Sequence, residues 1–190
     1  MRNILLFIGF LWCLPGMAAD SLKGHVDECF ELTSIVFRLA GASEYSKSDI
    51  PYYANDIDAY FAPYKKHKLI DFAKEIRNKY GVSYNAIASA AASLKIDKGK
   101  IILNSDIDIS KVKEIIDYRW TPETFKTFLS YLNDFYKKSK FKDFYSKHAD
   151  LYRIAEQRLD ERLTLIDVGW FESTFVKKLD NLIVVASLTN

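Results

Sequence analysis

Cysteine, histidine and glycine are all scarce in this chain, and each scarcity removes a class of chemistry. There are two cysteines in 190 residues, Cys13 and Cys29. Cys13 lies in an N-terminal export signal, so Cys29 is the one thiol expected in the mature chain. A single cysteine forms neither an intramolecular disulfide nor a zinc cluster. His25, His67 and His148 are the three histidines, and none has a second His or Cys at ligand spacing. No His-Glu-x-x-His stretch, which would put two imidazoles on one helix face beside a glutamate, occurs. Isolated histidines of this kind are expected to be solvated. With seven glycines, the sequence holds neither a phosphate-cradling loop nor a G-x-S-x-G elbow. An excess of one charge is missing too. Lys and Arg number 27 against 25 Asp and Glu, and losing Arg2 lowers the net charge from +2 to +1. That balance argues against a nucleic-acid partner, which calls for a basic face.

The N-terminus carries the clearest signal. Arg2 supplies a positive start, Ile4–Leu14 is an apolar run, and Pro15-Gly16 breaks it before "GMAAD". This is the pattern of a signal peptide cleaved after Ala18 or Ala19, of which Ala18 better fits small residues at alternate positions. The run is shorter than the ~20 residues a membrane span needs, so no transmembrane anchor is expected after cleavage. Lipidation at Cys13 is the weaker alternative, because bulky Trp12 precedes it and the apolar run continues past it. The expected organisation is therefore residues 1–19 as signal and 20–190 as one domain, exported to the periplasm or the cell exterior. About 170 residues is enough to bury a sizeable core.

The mature chain reads as mainly α (α+β), with about six helices and one or two short strands. "VDECFELTSIVFRLAG" has acidic residues first, Arg38 near its end and Gly41 beyond, which suits a macrodipole and a glycine cap. Its apolar residues wrap most of the circumference, so it is expected to be central, with Cys29 a small buried hydrophobe. Pro51 opens a helix to about Phe61, and another runs from about Lys66 to Tyr80. Ser83 is expected to cap the alanine-rich "SYNAIASAAASLK". "IILNS" after the polar "KIDKGK" is a strand signal. Thr121, Pro122 and Glu123 start the best helix, with Phe125, Phe128, Leu132 and Phe135 on one stripe and Asn133 on the other face. A last helix spans about Ala149 to Ile166 and stops at Gly169-Trp170-Phe171. "LIVVASL" closes the chain as an apolar strand.

Candidate sites are few. "NSDIDIS" places oxygen ligands at Asn104, Asp106 and Asp108, but Ile109 and Ile115 stand where a calcium loop needs Gly and Glu. The carboxylate pairs Asp27/Glu31, Asp71/Glu75 and Glu156/Asp160 fall at i,i+4 spacing beside basic residues and read as charged helix surface. Aromatics, at 15% of residues, are the one unusual feature of the composition. Most sit at core spacing. Tyr118, Arg119 and Trp120 lie off the stripe just before a helix cap, and they are the candidates to line a ligand groove, with "FKDFYSKHADLY" a second aromatic stretch.

Three segments, "ELTSIVFRLAG", "DIDAYFAPYKKHKLIDFAKEIRNKYGVSYNAIAS" and "RWTPETFKTFLSYLNDFYKKSKF", resemble an uncharacterised family of exported bacterial proteins. Its members look like zinc-dependent peptidases, with a glycine-rich turn and a His-Glu-x-x-His helix beyond the region similar to this one. The resemblance implies that this chain is an N-terminal scaffold, inactive as it stands, with zinc only in a further region and a peptide or protein as substrate. No ligand or catalytic glutamate is carried over, because no position here matches one. An unpaired terminal "LIVVASL" would fit a truncated sheet. The competing expectation is a complete helical module binding peptide or glycan, in which "LIVVASL" pairs with "IILN".

Overall fold

The computed structural model describes residues 22–47, 49–175 and 184–189. Cys13, Ala18, Ala19 and the rest of the expected export signal lie outside them. The architecture is mainly α with short strands, as the sequence implies, although the described residues hold nine α-helices and four strands. The excess over about six comes from three short helices: Val112–Ile115 and Phe141–Lys147, in stretches to which the sequence assigns no element, and one that starts at Val168 where a stop was expected.

Strand β1 (Gly24–Val26) leads into α1 (Glu28–Leu39), whose N-cap Asp27 accepts the Phe30 N–H. Gly41 follows at φ 81, and the Ala42 N–H returns to the Phe37 carbonyl at 3.0 Å. That reversal needs a left-handed residue, which explains the glycine. Leu32, Ile35, Val36 and Phe37 are completely buried, so α1 is the central helix. Helices α2 (Pro51–Tyr60), α3 (Lys68–Tyr80) and α4 (Asn85–Ala92) follow. Ser83 does not cap α4. Tyr84 occupies the cap position at φ 43, and the Ser83 hydroxyl donates to the Gly81 carbonyl instead. Ala86, Ala90 and Ala91 are buried, and their small side chains let α4 lie close against α1.

The polar break contains a strand. β2 (Leu94–Asp97) pairs antiparallel with β3 (Lys100–Leu103) through Lys98-Gly99, both at positive φ. Two consecutive left-handed residues make the turn whose twist matches a hairpin. After the one-turn α5 (Val112–Ile115), α6 (Pro122–Lys138) starts with Thr121 and Thr124 capping each other reciprocally. It buries Phe125, Phe128, Leu132 and Phe135 against α3 and the hairpin. Helices α7 (Phe141–Lys147), α8 (Ala149–Leu163) and α9 (Val168–Phe175) complete the helical part. Gly169, Trp170 and Phe171 lie within α9 rather than ending a helix.

The terminal strand is paired, and not where expected. β4 (Val184–Ala186) runs parallel to β1, in register Gly24 with Val184, His25 with Val185 and Val26 with Ala186. β3, the "IILN" strand, has β2 as its partner. A parallel partner needs a long crossover, and nearly the whole described chain separates β1 from β4.

Candidate functional site: a cleft beside the parallel strand pair

The aromatic turn before α6 is structural. Trp120 is completely buried, and its indole N–H donates to the Ala86 carbonyl at 2.9 Å, as a buried indole must find an acceptor. Arg119 grips Asp117 through Nε at 2.7 Å and Nη2 at 2.8 Å, and its Nη1 reaches the Gly81 and Ser83 carbonyls at 3.2 Å. It ties two loops together. Tyr118 alone is exposed. The three residues therefore do not share a groove, because a tryptophan just before the stripe of α6 packs edge-on against Phe125. The second aromatic stretch is also core: Phe141, Phe144 and Tyr152 are buried.

Two of the histidines are not solvated. His67 caps α3, its Nδ1 accepting the Leu69 N–H at 3.2 Å while Nε2 faces Asp134 at 3.1 Å. His148 is buried between the Phe144 carbonyl at 2.9 Å and Asp56 at 3.0 Å. Local spacing could not reveal this, since Asp134 and Asp56 are brought in by tertiary packing. Cys29 is the buried hydrophobe expected, and burial first, then the Asp27 and Glu28 charges, push its thiol up to about 12. A thiol so placed stays protonated and is no nucleophile.

The carboxylate pairs depart furthest from expectation. Glu31 is completely buried, with the Tyr53 hydroxyl donating to Oε2 at 2.7 Å and the Leu188 N–H to Oε1 at 2.6 Å. Glu156 accepts the Val26 N–H at 2.9 Å, and Asp160 accepts the Gly24 N–H at 2.8 Å. The match is geometric. Four residues of helix rise about 6.0 Å and two residues of strand about 6.6 Å, so an i,i+4 carboxylate pair meets successive amides on one strand edge. At the hairpin the Asn133 amide covers Ile101, accepting its N–H at 2.9 Å and donating to its carbonyl at 2.8 Å.

These side chains define which edge is left. With Gly24 and Val26 directed at α8, the N–H and carbonyl of His25 face β4. The parallel ladder then turns those of Val185 outward. No described strand or side chain bonds that outer edge of β4. Beside it is a cleft of about 470 Å³ lined by His25, Asp27, Phe30, Leu94, Asn104 and Val185, with Ala91 and Ala92. Its volume lies in the range of small-ligand sites, and its lining mixes an apolar floor with a few polar groups. His25 Nε2 stands 3.9 Å from Asp27 Oδ2. Asp27 Oδ1 is committed to the α1 cap.

A second cavity of about 470 Å³ runs along α8, lined by Lys23, Arg153, Glu156 and Asp160. Two of its carboxylates, Glu156 and Asp160, are already committed to β1, while Glu161 also lines it. Among the described residues, no group of three or more His, Cys, Asp or Glu side chains is placed to hold a metal ion, and no helix is long and apolar enough to cross a membrane. No family model matches the chain, and neither a curated protein nor a solved structure matches it significantly.

Proposed function

We propose that the chain is an exported binding module that takes an extended peptide segment into the cleft beside β4. The observation that carries this reading is the coincidence of a strand edge at Val185 that no described strand covers with a mixed apolar and polar cleft. Strand addition supplies main-chain hydrogen bonds, and an adjoining cavity selects one side chain. Phe30 and Leu94 would contact the apolar part of that side chain, and His25, Asp27 and Asn104 its polar end. Export follows from the N-terminal signal, and sequencing the N-terminus of the secreted product should begin at Ala19 or Asp20. The peptidase-scaffold expectation drew support from an unpaired terminal strand, and the pairing of β4 with β1 removes that support.

The test is to pan a random-peptide library against residues 20–190 and titrate the enriched sequences into wild type and Val185→Pro. Proline at an outward-facing edge position keeps the strand while deleting its donor. Enriched peptides whose binding is lost in Val185→Pro and weakened in His25→Ala support the reading. No enrichment, or binding indifferent to both changes, overturns it.

A further inference from the structure

Glu31 sits one turn into α1, and nothing in the proposed cleft uses it. Four groups bond its carboxyl: Tyr53, Ser187, Leu188 and Thr189. Besides Tyr53 and the Leu188 amide, the Thr189 hydroxyl donates at 3.1 Å, and the Tyr53 hydroxyl is joined at 2.8 Å to that of Tyr152. Every bond to Glu31 comes from a neutral donor. The titratable groups facing it are Tyr53 on α2, Tyr145 on α7 and Tyr152 on α8, while Glu28 on its own helix is committed to Tyr136 and Lys142. His148 packs edge-on against Tyr53 but is committed to Asp56 and the Phe144 carbonyl. Asp49 and Arg158, near the terminal segment across a cavity of about 300 Å³, are exposed. A carboxylate ionised here would be a buried charge without a cation, the arrangement a fold tolerates least.

Three of its donors, on Ser187, Leu188 and Thr189, belong to the last described residues, which are otherwise held by the pairing of β4 with β1, by the burial of Leu188 in the core with Ala186 against it, and by a 3.3 Å contact from Ser187 to Ser34. We propose that Glu31 is a pH-operated latch: as the neutral acid, with its own O–H given to the Tyr53 or Thr189 hydroxyl and its other oxygen accepting the Leu188 N–H, it holds residues 184–189 on the body, and its ionisation releases them. Burial pushes the carboxyl up, against the bonds from Leu188, Tyr53, Ser187 and Thr189. In the released state it is solvated and titrates near the ordinary 4.5. From there up to its raised value in the closed state, release takes up no proton on Glu31 and lets one go. The opening constant therefore rises about tenfold per pH unit over that window, then levels. Since Val185 travels with the segment, release also removes one wall of the cleft.

The experiment is amide hydrogen exchange by NMR on the mature chain, converted to protection factors at a series of pH values from 4 upward. In wild type, protection of Leu188 should fall about tenfold per pH unit from pH ~4.5 before levelling, while amides of α6 hold theirs. Glu31→Gln mimics the neutral acid, its amide donating toward Tyr53 and Thr189, and should keep Leu188 protected throughout. Equal profiles in the two proteins, or α6 amides losing protection in step with Leu188, overturn the latch. If Glu31→Gln does not fold, the wild-type comparison of Leu188 with α6 decides alone.

Discussion

Glu31 accepts the Leu188 N–H at 2.6 Å across 157 residues, joining the first helix to the end of the described chain. Deleting that carboxyl strands three donors in the core. Glu31→Ala should cost about 3 kcal/mol, from unsatisfied groups plus a cavity. Glu31→Gln, measured by urea denaturation at acidic pH, should cost less than half as much.

Gly24 and Leu159 are a second such pair. A Cβ on Gly24 would overlap the Leu159 side chain, whose own Cβ would lie only 3.1 Å away. Gly24→Ala should destabilise by about 1–3 kcal/mol through overpacking. Adding Leu159→Ala should restore part of the loss, a positive coupling that a double-mutant cycle in denaturant reads directly.

His67 makes stability pH-dependent. Burial holds its pKa below the ordinary 6.5, with the bond to Asp134 opposing and Lys138 and Lys68 reinforcing. Its Nδ1 accepts a hydrogen bond, so the folded state favours the neutral ring. The unfolded chain then binds more protons below pH ~6.5, and stability present above that pH is lost as pH falls through the folded value. Thermal melts between pH 5 and 7.5 should show this loss in wild type and a flatter profile in His67→Asn, whose side chain also caps.

Trp120 and Tyr118 should separate cleanly. Trp120→Phe removes the bond to Ala86 and leaves a void, for a loss of about 2–3 kcal/mol. Tyr118→Ala, on a side chain 72% exposed, should stay within about 0.5 kcal/mol. Peptides selected on the cleft should bind Tyr118→Ala as they bind wild type.

Thr33 is completely buried on α1, and its hydroxyl has no hydrogen-bond partner among the described residues. Thr33→Val keeps the shape and removes the unsatisfied group. A gain of about 1 kcal/mol in chemical denaturation is expected.

Local order was legible wherever neighbours in sequence settle it. Asp27, Thr121-Pro122, Gly41 and Gly81 mark helix ends because their hydrogen bonds reach only three to five residues. The stripe from Phe125 to Phe135 names the buried face of α6 for the same reason. The hairpin was half legible: "IILN" shows as a strand, but "LKID" alternates weakly and its partner turn, Lys98-Gly99, carries little signal beyond one glycine. His25 and Val185 were not legible as a site at all, since each lies in a strand of three residues whose partner is at the other end of the chain.

The sequence by itself determined helical class, most helix boundaries, the apolar stripes and the burial of Cys29, all consequences of capping chemistry and 3.6-residue periodicity. Tertiary structure alone decided the fate of the polar residues. Glu156 and Asp160 look like any solvated i,i+4 pair until β1 arrives with two amides at the same spacing. Asn133 looks like helix surface until β3 runs beside it. Glu31 differs from its neighbour Glu28 only because the chain's far end folds over it. Burial of a polar side chain depends on partners that come from distant parts of the chain, and no local pattern encodes where those partners come to rest.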